Sequence, residues 1–222
     1  MRLALFDLDG TLLPTDSDHA FGEFMVAIGW ADGAQWRARN DAFYADYQAG
    51  RLDLDAYVDF ATSAWRTCPE AEALAARERF MREVIAPQLH PRAHDLVRRH
   101  RDAGELVAIV TATNEFVTAP IAAAFGVEHL IAVQLERDGD GRVTGRVRGV
   151  PSFREGKVRR VDDWLASLGH RWADFERVSF YSDSTNDLPL LERASDPVAT
   201  NPTPALAAIA QERGWRTLHL FE

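Results

Sequence analysis

The stretch "RLALFDLDGTLLPTDSD", Arg2 to Asp18, places two aspartates directly after an apolar run. Leu3 to Phe6 predict a strand covered on both faces, as in the centre of a parallel sheet. Asp7 and Asp9 follow where that strand emerges, and residues two apart on an extended chain point the same way. Neighbouring carboxylates repel each other and lose hydration on burial, so they need an offsetting interaction. A plain turn after the strand is the simpler interpretation of the same letters.

The composition of the chain limits the classes of protein that it can form. Its 222 residues suffice for one large domain, or for a core domain with a smaller inserted one. The hydrophobic fraction of 46% excludes a disordered protein. A net charge of -9 argues against nucleic acid as the main partner. A small phosphate can still bind where a metal and a few local cations outweigh that average charge.

Several sequence features bear on the location of the protein. Cys68 is the single cysteine, which excludes an intrachain disulfide and a cysteine zinc site. No apolar run approaches the roughly 20 residues that span a bilayer, and no signal-peptide pattern precedes the first predicted strand. We therefore expect a cytoplasmic protein, monomeric or homodimeric, that does not bind membranes.

The segment from residue 16 to residue 86 carries almost no strand pattern. Apolar residues recur there at helical spacing, as in Phe21, Phe24, Met25 and Ile28, and the segment predicts about four amphipathic helices. We expect a helical cap at residues 16–86, inserted into an α/β core that comprises residues 1–15 and 87–222.

After Pro91 helices and strands alternate, which predicts an α/β fold: a Rossmann-like parallel sheet with helices on both faces. The predicted strands are "ELVAIV", "HLIAVQL", "RVSFYS" and "DPVAT". No Gly-x-Gly-x-x-Gly motif follows a strand, so a dinucleotide-binding site has no support. Glu136 to Val147 predict a hairpin rather than a calcium loop, because the distal Glu of such a loop is missing.

Polar side chains follow several of these strands. In an open parallel sheet the ligand crevice lies outside the carboxyl ends of the strands. Besides Asp7 and Asp9, the candidates are Thr111 with Thr113 and Asn114 behind it, Asp183 with Ser184, Asn186 and Asp187, and Lys157 near the start of a helix. Singly, the Thr and Asn residues and Asp187 could cap helices and the lysine could lie on the surface. Together, four carboxylates at one crevice require a cation.

This set of side chains favours Mg²⁺ over zinc. Carboxylate and carbonyl oxygens with retained water suit Mg²⁺, whereas zinc prefers His or Cys ligands. A carboxylate in line with phosphorus can attack it and form an aspartyl phosphate. Lys157 and Thr111 would then stabilise charge on the phosphoryl oxygens.

Four motifs occur along the chain in this order: "DLDGTL", a strand-end Thr, a Gly-Lys pair and "SDSTND". Together they resemble the haloacid dehalogenase superfamily of phosphatases. A helical insert directly after the first motif resembles its phosphoserine-phosphatase-like subgroup. The resemblance extends from Asp7 to Asp187, nearly the whole chain. Where the family often has Gly-Asp-Gly, this chain has Ser182-Asp183-Ser184, whose small side chains should still allow the turn.

The resemblance implies a role for each candidate. Asp7 would be the nucleophile and Asp9 the general acid and base. Mg²⁺ would be held by Asp7, by the backbone carbonyl of Asp9 and by Asp183, with Asp187 supporting the site. The remaining core candidates would contact the phosphoryl group or steady its neighbours: Thr111, Ala112, Lys157 and Asn186. The expected substrate is a small phosphate ester.

Two other classes of protein share part of this pattern. A receiver domain also surrounds a phospho-aspartate with acidic residues, a Thr and a Lys, but it lacks a helical insert and is a switch, not an enzyme. A phosphotransferase of the same superfamily would pass the phosphoryl group to an alcohol. Asp9 favours hydrolysis, because a second acid can protonate the leaving group and later deprotonate water.

The cap is expected to choose the ester. In the phosphoserine-type subgroup an acidic residue contacts the substrate amine, and Asp16 stands at the matching place, although it could equally cap a helix. Where the subgroup has an arginine for the substrate carboxylate, this chain has Asp59, and Arg51 or Arg66 would have to substitute. A pocket with Asp16 and Asp59 favours histidinol phosphate over phosphoserine.

Overall fold

A central parallel sheet organises the computed structural model, which describes residues 1–221. The strands of the described chain are β1 (Arg2–Phe6), β2 (Leu106–Asn114), β3 (His129–Val133), β4 (Leu135–Arg137), β5 (Val143–Val147), β6 (Arg177–Ser182), β7 (Asp196–Thr200) and β8 (Arg216–Leu218). Within residues 1–221, six strands form one sheet in the order β3-β2-β1-β6-β7-β8, and β4 pairs with β5 in the predicted hairpin. The edge strand β8 is additional; it is three residues long and mostly exposed, so no pattern in the sequence marks it.

Helices fill the connections between the strands. They are α1 (Ser17–Ala27), α2 (Gly33–Gln48), α3 (Leu54–Ser63), α4 (Glu70–Phe80), α5 (Pro91–Asp102), α6 (Glu115–Ala124), α7 (Glu155–Ser167), α8 (Leu188–Arg193) and α9 (Pro204–Arg213). Helices α1 to α4 are the predicted helical insert after β1; its exact boundaries, at residues 15/16 and 86/87, stay a prediction. None of the helices in residues 1–221 has both the length and the apolar character needed to cross a membrane.

Strand β1 is buried on both faces, as the sequence predicts. Leu3, Ala4, Leu5 and Phe6 are fully enclosed. Ala4 and Phe6 pack with side chains of α5 and α6, whereas Leu3 and Leu5 pack with α7, α8 and α9. Helices therefore cover both faces of the sheet, which confirms the predicted α/β class.

Helix α1 packs onto the core through aromatic side chains. The rings of Phe21 and Phe80 meet edge to face at 4.9 Å, and Phe21 lies 6.1 Å from Phe116 of α6. Trp65 stacks on the same Phe116 ring at 4.0 Å. Such pairs contribute about 0.5–1.5 kcal/mol each beyond their burial. The helices after β1 thus share one hydrophobic core with the sheet.

The loop after β1 is tight and needs a glycine. The carbonyl of Leu8 accepts hydrogen bonds from the backbone N–H groups of Thr11, Leu12 and Leu13. Gly10 has a φ of 76°, and a Cβ built there would lie 2.4 Å from Oδ2 of Asp183, the residue that follows β6. The absence of a side chain at Gly10 therefore lets the ends of β1 and β6 approach each other.

We expect Gly10→Ala to destabilise the protein more than Gly104→Ala does. The left-handed conformation costs a non-glycine residue about 1–2 kcal/mol, and the contact with Asp183 adds overpacking of about 1–3 kcal/mol. Gly104→Ala is the matched control, because Gly104 has a φ of 69° but open space around its Cβ position. Urea unfolding should give the larger loss for Gly10→Ala, and equal losses would contradict the close approach.

Candidate active site

The expected side chains meet at one end of the sheet. Strand β1 pairs in parallel with both β2 and β6. Its carboxyl end therefore places Asp7 beside Thr111 of β2 and beside Asp183, which directly follows β6. This position is a topological switch point, where open α/β sheets bind their ligands.

Lys157 lies in the interior and not on the surface, with 1% of its area exposed. Its Nζ is 2.8 Å from Oδ1 of Asp7 and 2.7 Å from Oδ1 of Asp187. Burial alone would lower the pKa of Lys157, but attraction by Asp187 and Asp7 outweighs it and raises that pKa above its ordinary value. Asp187 occupies the N-cap position of α8, yet its carboxylate bonds to Lys157 and to the hydroxyl of Ser182 instead of capping the helix.

Asp7 and Asp183 face each other across one hydroxyl group. The Oγ1 of Thr11 is 3.1 Å from Oδ2 of Asp7 and 3.2 Å from Oδ1 of Asp183, and it accepts a hydrogen bond from the Asp183 backbone N–H. Burial raises the pKa of Asp7 to about 7, although the Lys157 charge opposes the shift. Burial and then repulsion by Asp7 raise the pKa of Asp183 well above its usual range. Both carboxyl groups thus pay a cost that a nearby cation would relieve.

This pair of carboxylates fits a magnesium ion. Mg²⁺ is commonly held by one or two carboxylates and retains several waters. In residues 1–221 no three acidic, imidazole or thiol side chains form a metal cluster by themselves. A site built from two carboxylates and a backbone carbonyl, as expected from the sequence, does not require a third such side chain.

Asp9 is held by two hydrogen bonds, one to each carboxylate oxygen. The backbone N–H of Ser17 donates to Oδ1 at 2.7 Å, and the hydroxyl of Thr113 donates to Oδ2 at 2.9 Å. Burial and the charge of Asp16 raise the pKa of Asp9 to about 7, while these hydrogen bonds act in the opposite direction. Such a value suits a group that both gives and takes a proton near neutral pH.

The strand-end Thr and Asn have different partners. Thr111 is buried, and its hydroxyl accepts a hydrogen bond from the backbone N–H of Thr113 at 3.1 Å. Asn114 is the cap of α6, because its Oδ1 accepts from the backbone N–H groups of Phe116 and Val117. The capping alternative thus holds for Asn114 and not for Thr111.

Asn186 does not line the cavity. Its Nδ2 donates to the backbone carbonyl of Tyr47, at the end of α2, at 3.0 Å. The local cap is Ser184, whose hydroxyl accepts from the Asn186 backbone N–H. Asn186 therefore links the loop after β6 to the helical insert.

The site opens into a cavity between the end of the sheet and the insert. The core contributes its floor: Asp7, Asp9, Thr111, Ala112 and Thr113. The insert contributes acidic, aromatic and aliphatic walls: Asp16, Asp18, His19, Phe43, Tyr44, Tyr47, Leu52, Leu54 and Tyr57. In the described part of the chain no arginine or lysine lines this cavity.

Asp16 lies at the cavity and also caps a helix, the two alternatives that the sequence left open. It lines the cavity, and its Oδ1 also accepts a hydrogen bond from the His19 backbone N–H, so it is the N-cap of α1. Asp18 lies close by and is buried. It bonds to Nδ2 of Asn114 at 3.2 Å and to the hydroxyl of Tyr57. Burial, followed by repulsion from Asp16 and Asp9, raises the pKa of Asp18 to about 8.

The structure does not bring Asp59 to the cavity, which corrects the expected pocket. The Asp59 carboxylate is exposed and pairs with Nη1 of Arg66 at 2.7 Å. Successive helical residues differ by about 100° around the axis. Because Tyr57 faces the cavity, Asp59, two positions later on α3, faces away. Arg51 is not at the cavity either, since it pairs with Asp46 and is exposed.

The sequence assigned no role to several residues at the site, among them Thr11, Asp18, Tyr57 and Thr113. Thr11 belongs to the "DLDGTL" motif, and Thr113 lies two residues beyond Thr111 on an extended strand, so its side chain points the same way. Both residues could therefore have been predicted at the site from the sequence. Tyr57 sits in an aromatic-rich helix where only the packing of α3 decides which rings reach the cavity.

Comparisons with known proteins place the chain among its relatives. Residues 4–192 match the model of the haloacid dehalogenase-like hydrolase family. A histidinol-phosphatase of Neisseria meningitidis serogroup C is 42% identical over 218 residues, which cover 98% of each chain. A solved structure of a Bordetella pertussis protein of unknown function has a TM-score of 0.94 at 52% identity, with 99% of each chain covered.

A substrate-bound phosphoserine phosphatase shares the fold, with a TM-score of 0.68 at 18% identity over 97% of this chain and 91% of the other. The family match covers most of the chain and excludes the receiver-domain alternative. The chain therefore belongs to the haloacid dehalogenase-like hydrolase family.

Proposed function

We propose that the protein is a Mg²⁺-dependent phosphomonoester hydrolase that acts through an aspartyl phosphate on Asp7. The observation that carries this proposal is the position of the Asp7 carboxylate. It lies at the floor of the cavity, is held by the buried Lys157, and is joined through Thr11 to Asp183. A fixed, buried carboxylate next to a cation site is what an attack on phosphorus requires.

The reaction has two steps in this proposal. An oxygen of Asp7 attacks phosphorus, the bond from phosphorus to the ester oxygen breaks, and Asp9 gives its proton to that oxygen, which leaves as an alcohol. Water then attacks the same phosphorus while Asp9 takes a proton from it. The bond from phosphorus to Asp7 breaks, which releases phosphate and restores both carboxyl groups.

The other core residues stabilise charge or hold neighbouring groups. Lys157 fixes Asp7 and lies close enough to the reacting carboxylate to stabilise phosphoryl oxygens. Thr111 and Ala112 line the cavity at the end of β2, where a phosphoryl group would lie against them. Asn186 acts one step away, by holding Tyr47 of the insert.

Mg²⁺ would be held by Asp7, Asp183 and the backbone carbonyl of Asp9, with Asp187 supporting the site through Lys157. When bound, it supplies positive charge that offsets the phosphoryl oxygens and the paired carboxylates.

Metal removal tests the cation site. We expect hydrolysis of p-nitrophenyl phosphate to stop in chelator and to return with added Mg²⁺. Because Mg²⁺ binds the folded state preferentially, it should also raise the melting temperature by mass action. The Asp183→Asn variant should lose most of that thermal shift. Full activity of chelator-treated, metal-free protein would contradict the site.

Replacement of Asp7 tests the nucleophile. Asp7→Asn keeps the shape of the side chain but removes its charge, so kcat should fall on the order of 10³-fold or more. Lys157 keeps its contact with Asp187, and the fold should survive. Asp59→Asn is the matched control, since that carboxylate lies outside the cavity. A substantially active Asp7→Asn protein would mean that water attacks phosphorus directly.

The cavity walls favour an ester that carries a positive group. Asp16 and Asp18 are both acidic, and the rings of Tyr44, Tyr47 and Tyr57 line the same space. Carboxylates attract cations, and aromatic faces do so as well. With no arginine or lysine lining the cavity in the described chain, a substrate carboxylate would lack a guanidinium or ammonium partner, and the His19 ring there already bonds to Asp41.

We infer that the substrate is histidinol phosphate, which bears an ammonium group and an imidazole and no carboxylate. The 42% identity with the Neisseria histidinol-phosphatase over almost the full length of both chains supports the same choice. Phosphoserine bears a carboxylate that would face Asp16 and Asp18. The cytoplasmic location and the monomeric or homodimeric state remain expectations from the sequence.

Substrate comparison tests this choice. We expect kcat/KM for histidinol phosphate to exceed that for phosphoserine by on the order of 10²-fold, because like-charge contacts in a closed pocket cost several kcal/mol. A neutral sugar phosphate should fall between them. If phosphoserine is preferred by tenfold or more, the carboxylate has a partner and the proposed substrate is wrong.

An Asp18→Asn variant locates the source of that preference. It removes the carboxyl group, which a bound cation would favour in its ionised form, but retains a polar side chain that Asn114 and Tyr57 can bond. We expect its kcat/KM to fall more for histidinol phosphate than for the neutral sugar phosphate. Equal losses for the two esters would indicate a structural role for Asp18.

A further inference from the structure

The two hydrogen bonds to Asp9 come from different parts of the chain. Thr113 stands near the end of β2 in the core, and Ser17 is the first residue of α1 in the insert. Thr113 is 6% exposed and Ser17 is fully buried, so bulk water competes little with either contact. Each donor occupies one oxygen of Asp9, and each oxygen keeps a further lone pair for a proton in transit.

Both donors are themselves fixed. The Thr113 backbone N–H donates to the Thr111 hydroxyl, which ties the side chain to the strand end. The Ser17 N–H has no partner within its helix, as is usual for the first residues of α-helices. Asp16 directs it by capping α1 in an extended conformation, with a φ of -86° and a ψ of 116°.

We propose that the Thr113 hydroxyl and the Ser17 backbone N–H position the Asp9 carboxyl group for proton transfer to the leaving oxygen. This inference rests on the proposed function, in which Asp9 is the acid. An aspartate side chain free to rotate samples several staggered conformations, whereas a general acid must stay within hydrogen-bond reach of its target. Thr113 and Ser17 are thus positioning residues and not catalytic ones.

Leaving-group dependence separates this role from a general loss of structure. An alkoxide needs a proton as it departs, whereas p-nitrophenolate departs without one. We compare kcat/KM, which covers phosphorylation of Asp7 and leaving-group departure but not the later hydrolysis of the aspartyl phosphate. One substrate is p-nitrophenyl phosphate. The other is the alkyl ester that the wild-type protein hydrolyses fastest among histidinol phosphate, phosphoserine and the neutral sugar phosphate.

Thr113→Val removes the hydroxyl at nearly constant volume. We expect kcat/KM for the alkyl ester to fall about tenfold or more, which is part of the 10²–10⁴-fold rate effect of a general acid. The kcat/KM for the aryl ester should change less than about threefold, because its leaving group needs no proton. Thr113→Ser keeps the hydroxyl and should restore the wild-type ratio. Thr118→Val is the matched control, because that buried hydroxyl bonds only to the Asn114 carbonyl of its own helix.

Ser17→Pro tests the second donor independently, including the case in which Thr113→Val does not fold. Proline is tolerated at the first position of a helix, and the extended conformation of Asp16 suits the residue before a proline. The substitution deletes the backbone N–H and places a proline ring carbon next to Oδ1 of Asp9, which the N–H contacts in the wild type. The Asp9 carboxyl group must therefore rotate away from this position. Ser17→Ala removes the side-chain hydroxyl but keeps the N–H, so it should change the ratio of the two kcat/KM values less than Ser17→Pro does.

Loss of activity in equal proportion on both esters, or no loss on either, would overturn the inference. A failure of the proposed function gives a different result: the wild type would then hydrolyse neither ester, or Asp7→Asn would remain active.

Discussion

The ammonium group of Lys157 is enclosed between Asp7 and Asp187, and the site is arranged around this contact. A buried ammonium group without partners would be costly, and so would either carboxylate. Lys157 can balance one of these negative charges, so its two partners together with Asp183 leave an excess of negative charge. That excess is the reason why a divalent cation fits the end of β1.

Parallel pairing made this part of the site predictable from sequence. Once β1, β2 and β6 are identified as parallel neighbours, the residues after each strand must share one edge of the sheet. Asp7, Asp9, Thr111 and Asp183 follow from that rule alone. The position of Lys157 follows less directly, because a lysine near a helix start is usually exposed. The Gly-Lys pair in the family resemblance indicated it, with an expected role at the phosphoryl oxygens.

The cavity walls were less predictable, because helix phase and tertiary packing determine them. Asp59 and Tyr57 differ by two positions on α3, and the sequence does not show which of the two faces inward. The packing of α3 against the hairpin decides it. A Cβ at Gly145 of β5 would collide with Arg66 and Asp59, so these polar side chains lie on the hairpin side of the helix. Asn186 does not line the cavity but bonds to a carbonyl of α2, a contact that no local pattern reveals.

In the proposed reaction, chemistry and selectivity come from different segments, and Asp9 connects them. The core supplies the groups that act on any phosphate ester, whereas the cavity walls that surround the rest of the substrate come from residues 16–86. Asp9 belongs to the core motif, but one of its two hydrogen-bond donors, Ser17, begins the first helix of the insert. Aromatic packing of Phe21 against Phe116 of α6 holds that helix on the core. The orientation of the acid therefore depends on how the insert is packed, so a substitution that shifts α1 should affect proton transfer as well as substrate choice.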